Sequence, residues 1–345
     1  MQKRQKILIM RLSSIGDILL STPFIRQVRI AFPKSQIDFV IKNEYYSLIQ
    51  FNPHLDKIYR YDKATGIQGL ENLSRNLSEQ KYDLVFDLHN NFRTRYILAK
   101  IKTKKVFRIK KDKIKRALLV YVKLNMYKTI TTIPQRYLAV GKQAGIKDDD
   151  NGMEIFWRDS VELEANSILQ RNHTPEKFIV IAAGAAHYTK RWPTDKYMKL
   201  IEKLLAYSNA RIVLMGNDKE KKILSNLVIS PRIINLAGQL SLLQAAAILG
   251  KAQVVVSNDS GLMHMATAVN TPVVAIFGST VKELGFFPYK GLSVVHEEQN
   301  LWCRPCSHIG REKCPLGHFR CMVNIKEDDV FASVVKFLNG KYKNR

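Results

Sequence analysis

The sequence predicts an α/β protein made of two successive doubly wound, Rossmann-like halves. Three observations carry this. Short β-branched runs alternate with helical stretches along nearly the whole chain, the pattern of a parallel sheet with crossover helices. The alternation stops at a polar, turn-rich stretch, Lys147-Asp148-Asp149-Asp150-Asn151-Gly152, and then restarts. Finally, 345 residues, 46% of them apolar, suffice for two cores of ordinary size. The expected domains are 1–150 and 151–325, followed by a closing helix and tail over 326–345.

In the first half, 6–12 reads as a strand and 13–17 as the loop after it. A helix then runs to about 32, starting at Asp17 or at Thr22 with Pro23 in its first position. Strands follow at 37–41, 57–61, 82–88 and 106–109, with helices at 45–51, 70–80, 94–101 and 134–144. The second half has helices at 161–172, 194–207, 218–228 and 241–249, and strands at 178–183, 211–215, 233–236 and 253–256. A complete β-loop-α-β unit closes it over 254–278: the Val254-Val255-Val256 run, a loop at 257–261, a helix at 262–269, and a strand at 273–277 ended by Gly278. A final helix spans 328–338, and the tail from Lys341 to Arg345 is expected to fray.

The chain carries 55 basic and 30 acidic residues, a net charge of +25. Such a field favours an anionic partner: nucleic acid, a membrane surface or a phosphorylated substrate. A lysine-rich surface with no specific partner would have the same composition. No apolar run is long enough to span a bilayer. The opening residues are basic, then briefly apolar, and read as a strand, not a signal peptide, so a cytoplasmic protein is expected. The first βα turn has only Gly16, so the dinucleotide fingerprint is missing, and no phosphate-binding P-loop occurs anywhere.

Ligands of open α/β sheets bind at the carboxyl ends of the strands. Five strand ends carry suitable residues. Ser14, Gly16 and Asp17 follow the first strand, and a helix N-terminus there would keep Asp17 ionised, as a general base must be. Asp87-Leu88-His89-Asn90-Asn91-Phe92-Arg93 ends the fourth, where His89, Asn90 and Arg93 suit a sugar or phosphate. Ala182-Ala183-Gly184-Ala185-Ala186 leads to Lys190, Arg191, Trp192 and Pro193, a mix of small residues and cations that suits a pyrophosphate. Gly216, Asn217 and Glu220 follow strand 211–215, where Asn217 also fits a helix cap. In the last unit, Asp259, Ser260, Gly261 and His264 lie at a helix start, a natural anion site and equally a simple cap.

Together these motifs resemble glycosyltransferase family 9, the heptosyltransferases of bacterial lipopolysaccharide synthesis. The resemblance rests on Arg-Leu-Ser-Ser-Ile-Gly-Asp-Ile-Leu-x-x-x-Pro from Arg11, on Lys190-Arg191-Trp192-Pro193, and on Asp259-Ser-Gly-Leu-x-His followed by Ala-x-x-x-x-x-Pro and Phe-Gly-Ser-Thr. It extends over 7–325 and implies the GT-B fold, two Rossmann-like domains facing each other across a cleft. It implies an inverting transfer from a nucleotide sugar, ADP-heptose, to a phosphorylated glycolipid acceptor, with no cofactor required for transfer. Asp17 would be the base and Lys190 would bind donor diphosphate. Arg191, Gly216, Asn217, Glu220, Asp259, Ser260, Gly261 and His264 would serve the donor, and Ser14, Gly16, His89, Asn90 and Arg93 the acceptor. Some members carry hydroxyl residues where this chain has Ala185 and Ala186. The alternatives are a nucleotide-sugar epimerase of similar fold and a non-catalytic basic protein that binds membrane or nucleic acid.

Two further features stand apart. Residues 100–128 hold twelve Lys or Arg and one acid, Asp112, interrupted by Leu118-Leu119-Val120-Tyr121-Val122. On the acceptor domain such a run would hold the enzyme peripherally on the anionic cytoplasmic face of the inner membrane; no nucleic-acid motif is present, and no nucleic-acid partner is expected. The four cysteines, Cys303, Cys306, Cys314 and Cys321, lie within nineteen residues of one another. They fit either a structural zinc site or buried free thiols, and the second pair is spaced more widely than zinc sites usually are.

Overall fold

The structure is a computed structural model and describes residues 4–341. The expected frayed tail beyond Lys341 lies outside the described residues. The elements run β1 (Lys6–Met10), α1 (Ile15–Leu19), α2 (Thr22–Ala31), β2 (Gln36–Lys42), β3 (Lys57–Tyr61), α3 (Gly66–Glu79), β4 (Leu84–Asp87), α4 (Phe92–Lys100), β5 (Lys105–Arg108), α5 (Lys113–Ala117) and α6 (Ile133–Gly141). They continue as α7 (Asp159–Arg171), β6 (Phe178–Ala182), α8 (Thr194–Tyr207), β7 (Arg211–Leu214), α9 (Lys221–Ser225), β8 (Ile233–Asn235), α10 (Leu242–Lys251), β9 (Val254–Asn258), α11 (Gly261–Ala268), β10 (Val273–Phe277), β11 (Ser293–Glu297), α12 (Arg320–Val323) and α13 (Glu327–Leu338).

Two compact units result. The first comprises the chain up to Lys111 together with Ile133–Phe156, and the second comprises Asp112–Thr132 and everything from Trp157 on. This differs from a single cut at 150 for a physical reason. Arg26 on α2 binds Asp149 at 2.7 Å and Glu154 at 2.6 Å, which fastens the polar stretch at the expected boundary onto the first unit. Residues 112–132 are joined to the second unit instead: Lys123 Nζ donates to Cys303 O at 3.0 Å and to Pro305 O at 2.7 Å. The closing helix also belongs to that unit. Lys196 of α8 pairs with Glu327 at 2.8 Å, and Tyr207 meets Phe331 edge-on at 5.7 Å.

The first sheet has the order β3-β2-β1-β4-β5 and the second β11-β10-β9-β6-β7-β8. Every pairing is parallel. Helices cover both faces of such sheets, so central strands need apolar side chains on both sides. Ile7, Leu8, Ile9 and Met10 of β1, and Val254, Val255 and Val256 of β9, are accordingly fully buried. In each sheet the chain reverses its direction of winding beside the first strand: between β1 and β4 in one, between β6 and β9 in the other. Ligands of open parallel sheets bind at such a switch point, outside the carboxyl ends of the strands.

β11 is absent from the sequence expectation. It is an edge strand, Ser293–Glu297, half-buried throughout, so it lacks the apolar run that marks the central strands. Of the two starts expected for the helix that reaches about 32, the structure shows Thr22 with Pro23 in the first turn, as α2; a separate short helix, α1, precedes it. Among the described residues no helix is long and apolar enough to cross a membrane.

Candidate active site

In the first unit, the loops after β1 and β4 meet at the switch point. Asp17 sits in α1, and its Oδ1 lies 2.7 Å from Arg11 Nη2. Its Oδ2 accepts from Ser14 N at 3.3 Å and from Ser14 Oγ at 3.1 Å. Burial alone would raise this carboxyl, but the Arg11 charge and the Ser14 donors outweigh it and hold the group below its usual range. The helix N-terminus contributes here through Ser14, the N-cap of α1, and the Arg11 charge is the larger of the two effects. Arg11 is itself fixed, by Ser13 O at 3.0 Å, Leu88 O at 2.9 Å and the Tyr137 ring 5.6 Å beneath it.

The β4 loop is built around Asp87, fully buried at the strand end. Its Oδ1 accepts from His89 N at 3.1 Å and from Asn90 N at 2.7 Å, and this turns the chain sharply enough that Asn90 takes a left-handed φ of 47°. Asparagine tolerates that region better than most residues. Asn90 Nδ2 then donates to Ile109 O at 2.9 Å. His89 Nδ1 accepts from Leu12 N at 3.1 Å. Burial, with Arg11 and Lys111 nearby, pushes His89 down to about 3, so its ring is neutral. With Nδ1 accepting, the ring proton is on Nε2. Arg93 is half-buried in the first turn of α4, and Gly16 is buried.

In the second unit, the loops after β6 and β9 meet in the same way. Lys190 Nζ lies 2.7 Å from Asp259 Oδ2, and Thr280 Oγ1 donates to that oxygen, also at 2.7 Å. Asp259 and Thr280 are buried. An ammonium has three donors, so the Asp259 contact leaves Lys190 able to donate to a further anion. Asn258 organises the strand ends. Its Nδ2 donates to Ala183 O at 2.7 Å, and its Oδ1 accepts from Trp192 N at 3.1 Å and Tyr197 Oη at 3.0 Å. Arg191 Nε donates to Ala185 O at 2.8 Å, bracing the loop that carries Lys190.

Glu220 is buried, and its Oε2 accepts from Asn217 N at 2.9 Å. Asn217 Oδ1 accepts from Lys219 N at 2.9 Å, so this residue caps a helical turn, the simpler of its two readings. The Glu220 carboxylate lies against two glycines. A Cβ on Gly184 would be 2.1 Å from its Cδ, and one on Gly216 would be 2.9 Å from its Oε2. The side chain that packs against Gly184 is therefore Glu220. Ser260 is the N-cap of α11, its Oγ 3.1 Å from Ser257 Oγ, and Gly261 is the first helical residue. His264 lies within α11 and is buried, 3% exposed.

Residues 70–316 match the sequence profile of glycosyltransferase family 9 (heptosyltransferase). The chain belongs to that family. It is similar to lipooligosaccharide heptosyltransferase 2 of Haemophilus ducreyi, 30% identical over 298 residues that cover 80% of this chain and 84% of the relative. Among solved structures it resembles the glycosyl transferase family 9 protein of Veillonella parvula, with a TM-score of 0.82, 22% identity and 99% of both chains covered. It also resembles the ADP-heptose lps heptosyltransferase II of E. coli, with a TM-score of 0.73, 21% identity, and 98% and 99% covered. The fold is GT-B and the protein is a glycosyltransferase, so the epimerase and the non-catalytic binding protein give way.

In this glycosyltransferase the four cysteines are brought together within the second unit. All four thiols are free, and they line one pocket with His318; Cys303 Sγ is 3.9 Å from His318 Nε2. Among the described residues, however, no three His, Cys, Asp or Glu side chains are placed to hold a metal ion, and Arg304 shares the lining. Burial pushes the Cys306 thiol up and the Cys321 thiol up to about 12. Their loop also steadies the donor-side residues: Arg304 donates from Nη2 to Thr280 O at 2.7 Å and from Nε to Gly278 O at 2.6 Å.

Sequence reasoning missed Arg304, Tyr137, Asn258 and the role of Thr280. Thr280 and Arg11 both lie inside motifs that carried the family resemblance, and their roles were readable only as part of those strings. Tyr137 and Arg304 carry no local signal at all.

Proposed function

We propose that this glycosyltransferase moves heptose from ADP-heptose to a lipopolysaccharide core or related glycolipid, with inversion at the anomeric carbon. The observation that carries the reading is the Lys190–Asp259–Thr280 cluster at the switch point of the second sheet, in a family described as heptosyltransferases. Lys190 would meet the diphosphate while Asp259 holds its ammonium in place. The acceptor hydroxyl oxygen would attack the anomeric carbon as the bond from that carbon to the diphosphate oxygen breaks. The hydroxyl proton would pass to Asp17, and the leaving diphosphate would keep the bonding electrons, stabilised by Lys190 and backbone donors. His89, as a neutral Nε2–H donor, and Arg93 would orient the acceptor. The reading uses no cofactor. The acceptor being a lipid, the enzyme would work peripherally at the cytoplasmic face of the inner membrane, with no nucleic-acid partner.

Titration calorimetry with ADP, UDP, GDP and CDP tests the donor, on wild type and Lys190→Ala. Tight ADP binding that weakens in the variant is the expected result. Preference for another nucleotide keeps the transferase and changes the sugar; no nucleotide binding at all overturns the reading.

A further inference from the structure

We propose that residues 112–132, together with Trp302, form a docking surface for an anionic lipid bilayer. The inference rests on the glycolipid-acceptor reading and gives its membrane contact a location. The segment turns Leu119 and Val120 inward and leaves Ile114 78%, Tyr121 72% and Val122 64% exposed. Leu124, Met126 and Ile130 continue the exposed series. Lys113, Lys115, Arg116 and Lys128 interleave with them, and the single acid of the segment, Asp112, stands at its start. Trp302, 74% exposed, adjoins Cys303, whose carbonyl receives the Lys123 ammonium.

Soluble surfaces seldom gather so many large apolar side chains in one short stretch. The charge selects an anionic occupant. The apolar residues select among anions. Ile114, Val122, Leu124, Met126 and Ile130 are aliphatic or thioether chains on which nucleobases cannot stack, whereas acyl chains take them up. Lysine and arginine around such a core meet phosphate headgroups, and tryptophan favours the interface.

The structure also corrects where this surface sits. It is part of the unit that carries Lys190, not the unit that carries Asp17. Lys123 Nζ caps Val120 O at 2.8 Å as well as Cys303 O and Pro305 O, and Asn125 Nδ2 donates to Glu283 Oε1 at 3.1 Å. These bonds shape the segment, so Lys123 serves the scaffold and the other four cations face the lipid.

Co-sedimentation of the full chain tests this, with vesicles of phosphatidylcholine plus phosphatidylglycerol against phosphatidylcholine alone. Wild type is expected to bind the anionic vesicles, more weakly at high salt. The combined variant Ile114→Ser, Tyr121→Ser, Val122→Ser, Trp302→Ser should lose at least about tenfold in vesicle affinity while ADP binding by calorimetry stays at the wild-type value. Wild-type vesicle affinity in that variant overturns the proposal, as does preference for single-stranded RNA with no vesicle binding. Should the variant fail to fold, brominated lipids give a second reading on unaltered protein, with Trp302→Phe to isolate the signal. Quenching of Trp302 supports the surface, and unquenched Trp302 on saturated vesicles sinks it. Absent ADP binding in wild type, with vesicle binding intact, would overturn the donor reading and leave this surface standing.

Discussion

Arg11 lies 2.7 Å from Asp17 while donating to Ser13 O and Leu88 O, so one guanidinium sets the charge of the proposed base and ties together the two loops that flank it. An ion pair this well enclosed is strongly coupled to the protonation of its carboxyl.

The consequence is a pH profile. A base works while ionised, so kcat/KM should fall as pH drops through the Asp17 value. That value is held below the ordinary carboxylate range by Arg11 and Ser14 against the effect of burial. Replacing Arg11 by Gln removes the charge and should move the acid limb to higher pH. Asp17→Asn should lower kcat by roughly 100- to 10,000-fold with ADP affinity unchanged. An acid limb that stays in place in Arg11→Gln would mean that another group titrates.

On the donor side, Lys190→Ala should weaken ADP binding by roughly 10- to 100-fold, as the loss of a charge-assisted hydrogen bond does. Thr280→Val keeps the ammonium and removes only one donor to Asp259, so calorimetry should show a smaller loss. Equal losses in the two variants would mean that Thr280 reaches the ligand itself.

Gly184 makes room for a buried carboxylate. Gly184→Ala puts a Cβ 2.1 Å from Glu220 Cδ and should destabilise the fold by about 1–3 kcal/mol, the usual cost of overpacking. Pairing it with Glu220→Ala removes the clash, and the double variant should be more stable than the sum of the two single losses predicts. Strict additivity in denaturant melts would show that the two positions do not meet.

His89 should be neutral across the physiological range, since its value lies at about 3 and Leu12 N donates to Nδ1. Nitrogen-15 NMR should find the Nε2–H tautomer, with ring shifts constant from pH 5 to 8. A ring that titrates near the ordinary histidine value would remove it as a fixed neutral donor.

By itself the sequence determined the class and the order of parts. Strand runs, helix starts and the polar stretch near 150 are local signals, because a residue's periodicity and its turn chemistry are written within a few positions of it. Asp17 and Lys190 could be chosen for the same reason, since both lie in short strings at strand ends. The tertiary structure decided which groups complete them. Tyr137 lies under Arg11 although four strands separate them along the chain. Arg304 reaches back to Thr280, and Asn258 holds the loops after β6. Residues 112–132 belong to the second unit because Lys123 meets carbonyls 180 and 182 positions away. Side-chain partners so distant in the chain leave no pattern in either neighbourhood; only the packed fold brings an ammonium and its acceptors together.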